Sequence, residues 1–162
     1  MPQISTRRRV PHSAAEMFDL VADVEQYPRF VPFCSALKVR RRETGDDGTE
    51  VLIADMTVAY KLIKETFTSR VALHRSPLTI DVKYLSGPFT RMENRWAFHS
   101  ISETSCEVEF FLFYEFKSRA FGLLMGAMFD AVFRRFASAF ERRADAVYGT
   151  RFPAALEGAS GA

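Results

Sequence analysis

The chain has 162 residues, a formal net charge of +2 and 48% hydrophobic residues, among them 16 phenylalanines. This length and apolar content predict one folded domain and exclude a disordered chain, while the small net charge gives no reason to expect DNA as a partner. With two cysteines and no apolar run long enough to cross a membrane, we expect a cytoplasmic protein with reduced thiols.

The N-terminal part of the chain predicts an edge strand followed by two short helices. Residues 3–10 form the strand. Ser13 and Glu16 have the spacing of a capping box, in which each side chain satisfies a free backbone N–H, and Asp23 can cap a second short turn. Residues 27–34 are apolar although prolines interrupt them, so we expect their aromatic side chains to be buried or to line a cavity.

Residues 36–116 alternate between apolar and polar side chains with the period of two that is typical of strands. Turn sequences recur at residues 45–48, 76–77 and 86–88, and no helical segment lies between them. About six strands in an antiparallel meander account for this pattern.

The C-terminal part of the chain predicts one long helix over residues 118–148. Ser118 is a suitable N-cap, and apolar side chains recur on one half of the helix with charged side chains on the other. Gly122 and Gly126 each cost about 1 kcal/mol relative to alanine in a helix interior, which close packing or room for a ligand would explain. Residues 149–162 are predicted to form a disordered tail.

This order of elements predicts an α+β fold, in which a curved antiparallel sheet of about seven strands surrounds a long C-terminal helix. Two short helices follow the first strand, and residues 1–148 form one domain. The arrangement resembles the helix-grip fold of START-like and birch-pollen-allergen-like proteins. Three motifs narrow the resemblance: the Tyr-Pro, Phe, Pro and Cys pattern of residues 23–34, the Ser-Gly-Pro-Phe hairpin of residues 86–89 and the strand around Trp96. With these motifs, residues 3–148 resemble the coenzyme Q-binding START-like family.

The resemblance implies a ligand cavity between the sheet and the long helix, which holds a hydrophobic molecule such as ubiquinone. It implies a non-enzymatic carrier that supports respiratory electron transport and has no cofactor beyond this ligand. Some bacterial members are described as blocking the association of ribosomal subunits, which is the alternative function. The expected cavity-lining residues are Phe30, Phe33, Met56, Val58, Phe67, Trp96, Phe98, Phe110, Leu112, Met125, Met128, Phe129 and Val132.

Two runs of arginine offer a second candidate surface. They are either solvated strand faces or a patch for anionic lipid head groups or RNA phosphates. If the first strand and the strand after Ala36 are neighbours, both runs form one surface for a ribosomal subunit. Phe111 and Phe113 face outward, where they either pack as a pair or contact a protein or the inner face of a membrane. The two runs consist of Arg7, Arg8, Arg9, Arg40, Arg41 and Arg42.

Catalysis needs several titratable side chains at one place. His12, His74 and His99 are scattered along the chain, and neither a nucleophile motif nor a metal-ligand cluster is present. Glu65 and Asn94 share the inward phase of their strands, so each is either a polar group inside the cavity or an exposed residue. A cyclase- or aromatase-like enzyme, the third hypothesis, would need several such groups.

Overall fold

Seven strands, three α-helices and one short 3₁₀ helix make up the fold in a computed structural model that describes residues 3–60 and 62–150. The strands are β1 (Gln3–Val10), β2 (Cys34–Thr44), β3 (Glu50–Tyr60), β4 (Ile63–Arg75), β5 (Leu78–Ser86), β6 (Phe89–Ser102) and β7 (Ser105–Phe116). The helices are α1 (Ala14–Ala22), the 3₁₀ helix (Val24–Arg29), α2 (Arg119–Arg134) and α3 (Phe136–Tyr148).

All seven strands form one antiparallel sheet in the order β1-β7-β6-β5-β4-β3-β2. Strands β2 to β6 each pair with the next strand along the chain, which confirms the predicted meander. Strand β1 closes on β7, so that Ile4 lies opposite Leu112. As a result, β1 and β2 occupy opposite edges of the sheet and are not the neighbours that one shared arginine surface would require.

The capping box at the start of α1 is present as predicted. The Ser13 hydroxyl accepts a hydrogen bond from the Glu16 backbone N–H at 3.1 Å, and the Glu16 carboxylate accepts one from the Ser13 N–H at 2.9 Å. Both donors would otherwise be unsatisfied at a helix N-terminus. The helix then buries Met17, Phe18 and Val21 against the sheet.

The predicted C-terminal helix is two helices, α2 and α3, separated at Arg135. Its N-cap is confirmed, because the Ser118 hydroxyl accepts from the Phe121 N–H at 3.1 Å. At the break, the Arg135 N–H donates to the Val132 carbonyl at 3.1 Å, a 3₁₀-type bond that tightens the turn. The prediction of an uninterrupted helix is therefore wrong. Neither proline nor glycine marks the break, and the apolar face continues across it.

The core contains two groups of aromatic rings, one beneath each C-terminal helix, and contacts through Phe133 and Phe136 connect the two groups. In the Phe89 cluster, beneath α2, a fully buried Phe89 ring has neighbouring ring centroids at 5.2 to 6.0 Å, those of Phe67, Tyr84, Tyr114, Phe116 and Phe129. In the Phe140 cluster, beneath α3, the ring of Phe140 lies 5.1 to 5.2 Å from those of Tyr27, Phe30 and Trp96.

The two helix glycines have different surroundings. A Cβ at Gly122 would lie 3.3 Å from Cδ2 of Phe116, so this glycine permits close packing of α2 on the end of β7. A Cβ at Gly126 would meet no heavy atom within 4 Å. Close packing therefore accounts for the first glycine and not for the second.

No helix in the described part of the chain is long and apolar enough to cross a membrane. The predicted tail begins at Gly149, and from residue 151 onward it lies outside the described residues.

Candidate functional site

A cavity of about 90 Å³ lies between the sheet and the junction of α2 and α3. Its floor comes from strands β2 to β7, its roof from the two C-terminal helices, and one side from α1 and the 3₁₀ helix. The lining is almost entirely apolar. It consists of Val21, Val24, Tyr27, Leu37, Ala54, Met56, Phe67, Ser69, Val71, Ile80, Val82, Met92, Asn94, Trp96, Phe110, Leu112, Phe133, Phe136 and Phe140.

The structure places only some of the predicted ligand-binding residues on this cavity. Those that line it are Met56, Phe67, Trp96, Phe110 and Leu112. All of them lie on strands, where a period of two leaves only two choices of face. The inward phase of each strand placed them on the side of the sheet that faces the cavity.

The predicted residues of α2 lie elsewhere. Met125, Phe129 and Val132 are buried, and Met128 is half-buried against the same core. Phe129 belongs to the Phe89 cluster, where packing is solid. The cavity begins further along the helix, at Phe133, because the Phe89 cluster fills the space beneath α2.

The remaining predicted residues surround the cavity without lining it. Phe98 packs against Phe18, with ring centroids 5.9 Å apart, and Val58 is buried in the core. Phe30 packs edge-on against Phe140, with ring centroids 5.1 Å apart. Phe33 is 38% exposed and has a backbone φ of 61°, a conformation that is rare for a bulky side chain.

Several lining residues were not among those expected from the sequence. Val21, Val24 and Tyr27 come from the short helices, and Phe136 and Phe140 come from α3. The two phenylalanines continue the apolar face of the predicted long helix, so periodicity included them in that face. Periodicity could not show which part of the face meets empty space.

The few polar groups in the lining are mostly satisfied by neighbours. The Tyr27 hydroxyl donates to the Val21 carbonyl at 2.5 Å, and burial raises the pKa of Tyr27, which keeps the phenol neutral. The Trp96 indole N–H donates to Asn94 Oδ1 at 3.1 Å, and Asn94 Nδ2 donates to the Phe111 carbonyl at 2.9 Å. Asn94 is thus in the cavity wall, whereas Glu65 is half-buried outside it.

Few side chains of this lining could take part in acid–base or nucleophilic chemistry. Among the described residues that form it, there is no carboxylate, imidazole, amine, guanidinium or thiol. Burial raises the pKa of the Cys34 thiol to about 11 and that of Cys106 to about 12, so both thiols stay protonated at neutral pH. The arrangement can bind an apolar guest by removing its surface from water.

The histidines pair with carboxylates away from the cavity. His12 Nε2 lies 2.7 Å from Asp145 Oδ1, and His99 Nε2 lies 2.9 Å from Glu109 Oε2. His74 Nε2 lies 3.4 Å from an Asp81 oxygen. Sequence reasoning missed the first pair because its partners are 133 residues apart. In the described part of the chain, no group of three or more His, Cys, Asp or Glu residues could hold a metal ion.

Most arginines of the two runs are engaged in ion pairs. On β1, Arg7 contacts Glu107 at 3.0 Å and Arg8 contacts Glu141 at 2.7 Å. On β2, Arg40 contacts Asp55, Arg41 contacts Glu43, and Arg42 contacts Glu25 and Glu50. These carboxylates reduce the positive field of each run, and the runs lie on opposite edges of the sheet.

The outward phenylalanines of β7 are covered by arginine side chains. The guanidinium of Arg95 lies 4.7 Å from the ring centroid of Phe111, and that of Arg91 lies 4.9 Å from the ring centroid of Phe113. These cation–π contacts explain two aromatic residues on an outer face without a membrane or protein partner.

The profile of the family described as "Polyketide cyclase / dehydrase and lipid transport" matches residues 10–141. The match covers most of the chain, and the protein therefore belongs to this family. Its seven-stranded antiparallel sheet and C-terminal helices form the START-like helix-grip fold that the sequence predicted.

The sequence of the chain is similar to relatives that carry two different names. The ribosome association toxin RatA of Escherichia coli (strain K12) is 34% identical over 151 residues, which cover 93% of this chain and 92% of the relative. The mitochondrial coenzyme Q-binding protein COQ10 homolog B of Xenopus laevis is 31% identical over 144 residues, which cover 85% of this chain and 55% of that protein. The predicted family resemblance is confirmed.

Solved structures share the fold. A START superfamily protein from Mycobacterium smegmatis has a TM-score of 0.73 at 20% identity, covering 90% of this chain and 98% of its own. The Zhui aromatase/cyclase from Streptomyces sp. R1128 has a TM-score of 0.71 at 18% identity, covering 89% and 93%. At these identities the similarity concerns the fold alone.

Proposed function

We propose that this protein binds ubiquinone or a similar isoprenoid lipid in the cavity and carries it without chemical change. The observation that supports this proposal is the lining itself, which combines aromatic rings, aliphatic side chains and two methionines, and whose only titratable group among the described residues is the phenol of Tyr27. Burial of an isoprenoid tail contributes about 0.8 kcal/mol for each methylene-sized group. Affinity then depends mainly on the length of tail that the protein covers.

A guest of this size requires the cavity walls to move. An engineered apolar cavity of about 150 Å³ holds benzene, so a cavity of about 90 Å³ does not hold a substituted quinone ring without expansion. Met56 and Met92 are suited to this role because unbranched thioether side chains adopt several shapes at little cost. The helix break at Arg135, next to the lining residues Phe133 and Phe136, is a second place where the wall can shift.

Extraction of the purified protein with organic solvent, followed by mass spectrometry, tests the proposal. We expect a prenylated quinone in the wild-type extract and at least tenfold less in an Ala54→Leu variant, whose added carbons occupy the cavity. Ala97→Leu is the matched control, because it adds the same group to β6 outside the cavity lining. Absence of quinone from wild-type extracts, together with no quenching of Trp96 during titration with quinone, would refute the proposal.

The wider role that we propose is support of respiratory electron transport by a cytoplasmic protein that contacts the inner face of the membrane during lipid exchange. The name of the Xenopus relative, a coenzyme Q-binding protein, supports this role. Flotation of the protein with quinone-loaded vesicles tests it. Recovery of the protein only at the bottom of the gradient, with no transfer of quinone between vesicles, would count against it.

Ribosome association is the second candidate function. The observation in its favour is the 34% identity to E. coli RatA over 93% of the chain. Sedimentation of small and large ribosomal subunits with the protein is the test, and we expect less of the joined ribosome if this function holds. Two triple variants would show which sheet edge contacts the ribosomal subunit. They are Arg7→Ala/Arg8→Ala/Arg9→Ala and Arg40→Ala/Arg41→Ala/Arg42→Ala. Unchanged subunit association with the wild-type protein would remove this candidate.

An aromatase- or cyclase-like activity has less support. A neighbour of that name shares the fold at 18% identity, but the described lining offers no titratable group other than the phenol of Tyr27. We therefore propose a binding protein and not an enzyme. Recovery of an unmodified quinone after incubation with excess protein is the expected result, and a changed ring would contradict it.

A further inference from the structure

One hydroxyl in the cavity wall has no partner. Ser69 lies on β4, between Ala54 of β3 and Tyr84 of β5, and only 5% of its surface is exposed. Its Oγ makes no hydrogen bond among the described residues. Three other buried side-chain atoms of the described chain also lack a partner, and they belong to His12, Tyr114 and Arg143, which do not line the cavity.

A buried hydroxyl without a partner is unfavourable. Transfer of such a group from water costs about 1–3 kcal/mol on the scale of protein mutations. Alanine at this position would avoid the cost, and Ala54 occupies the neighbouring position on β3. The other polar side chains of the lining, Tyr27, Asn94 and Trp96, each have a hydrogen-bond partner.

We propose that the Ser69 hydroxyl donates a hydrogen bond to an oxygen on the ring of the bound lipid and so orients the ring in the cavity. This inference rests on the proposed function, because it assigns a polar anchor to the same cavity. It narrows the ligand class to lipids whose buried end carries an oxygen acceptor. A pure hydrocarbon of the same size would leave the hydroxyl unsatisfied.

Asn94 supplies a second hydrogen-bonding group on the face of the sheet that lines the cavity. It lies on β6, two strands from Ser69, and Val82 of β5 lies directly opposite it. Val82 also pairs with Val71 of β4, which is two residues along the strand from Ser69. Two strand spacings of about 4.8 Å and a shift of two residues place the two backbones about 12 Å apart. A ring with oxygens on opposite sides suits this spacing, because each oxygen can approach one polar point at about 2.9 Å. The Asn94 amide has four hydrogen-bonding positions, and the described residues fill two of them, which leaves an N–H for the second oxygen.

Isothermal titration calorimetry tests the inference by measuring the affinity of the full chain for three probes of equal tail length. The probes are a decyl-substituted dimethoxybenzoquinone, a decyl methoxybenzene with a single ring oxygen, and decylbenzene with none. We expect wild-type affinity to fall in this order. Ser69→Ala should weaken binding of the quinone about five- to tenfold, as expected for loss of one buried hydrogen bond, and change decylbenzene binding less than twofold.

Two controls separate this effect from a folding defect. The ligand-free Ser69→Ala protein should unfold at the same temperature as wild type or a higher one, because the variant removes an unsatisfied hydroxyl. Thr66→Ala removes a hydroxyl of the same strand that is bonded to Thr57 outside the cavity lining, and it should leave all three affinities unchanged.

The outcomes distinguish this inference from the proposed function. Equal affinity of wild type and Ser69→Ala for the quinone would overturn the role of Ser69 and leave lipid binding intact. Equal wild-type affinity for the quinone and decylbenzene would do the same. If no probe binds to the wild-type protein, both the anchor and the proposed function are wrong.

Discussion

Phe140 of α3 packs edge-on against Trp96 of β6, with ring centroids 5.1 Å apart and ring planes at 73°. Both rings line the cavity. Phe129, earlier on the same apolar face, packs instead on Phe89 at 6.0 Å. The contact between Phe140 and Trp96 therefore marks the part of the helix pair that covers the cavity.

Truncation of Phe140 and truncation of Phe129 should have equal effects on stability and different effects on the cavity. Both rings are buried, so Phe140→Ala and Phe129→Ala should each lower the free energy of unfolding by about 3–5 kcal/mol in urea titrations. Only Phe140→Ala should shift the emission of Trp96, the single tryptophan, in the folded state. An equal shift with Phe129→Ala would mean that the environment of Trp96 depends on the Phe89 cluster as much as on Phe140.

The pair of buried His12 and half-buried Asp145 should stabilise the attachment of α3 to the N-terminal segment. The His12 side chain is fully buried, and its Nε2 lies 2.7 Å from Asp145. Asp145→Ala leaves the ring nitrogen without this partner and should cost about 1.5–3 kcal/mol in the free energy of unfolding at pH 7. Asp130→Ala is the control, because it removes only an exposed pair with Arg134 and should have little effect. Similar effects of the two variants would contradict a structural role for His12.

The free energy of unfolding should fall at alkaline pH, because the two buried thiols deprotonate more readily in the unfolded chain than in the folded protein. Burial raises the pKa of Cys34 from 9.0 to about 11 and that of Cys106 from 9.0 to about 12. Below pH 9 both states of the chain keep these protons, so the stabilisation is complete there. Between pH 9 and about 11 the unfolded chain loses them first, and the free energy of unfolding decreases as the pH rises.

The measurement for this prediction is the urea midpoint at pH 8 and at pH 10. We expect a smaller decrease in a Cys34→Ala/Cys106→Ala variant than in the wild-type protein. Iodoacetamide at pH 8 should modify neither thiol in the folded protein and both in urea. Rapid modification of the folded protein would show that the thiols are not buried.

The two glycines of α2 should respond differently to alanine. Gly126→Ala should raise the free energy of unfolding by about 1 kcal/mol, because alanine favours the helix and its Cβ meets nothing within 4 Å. At Gly122 the new Cβ would lie 3.3 Å from the Phe116 ring, and this contact should offset the gain. Differential scanning calorimetry of both variants provides the comparison. Equal stabilisation would show that the Phe116 ring moves without cost.

Local interactions explain the parts of the structure that were predicted correctly. The strand β3 has the predicted bounds, Glu50–Tyr60, and the caps at Ser13 and Ser118 are present. Each depends on residues a few positions apart, through the period of two in a strand or the first free N–H groups of a helix. The family motifs then extended these elements to a fold, which the comparisons confirm.

Packing between distant elements explains the parts that were not predicted. A continuous apolar face runs from Phe121 to Phe140, and no pattern in it distinguishes the solid Phe89 cluster from the cavity beneath Phe136 and Phe140. The break at Arg135 likewise leaves no mark in the sequence.

By itself, the sequence determined the strands, the inward face of each strand and the apolar character of the space between sheet and helix, because short-range periodicity encodes all three. Only the tertiary structure decided where that space stays open, that the arginine runs lie on opposite edges, and that Ser69 faces the cavity without a partner. These features arise when side chains from six strands and four helical segments meet. The volume of the cavity and the hydrogen bonding of its polar groups therefore depend on how all these segments pack together, and no single segment determines them.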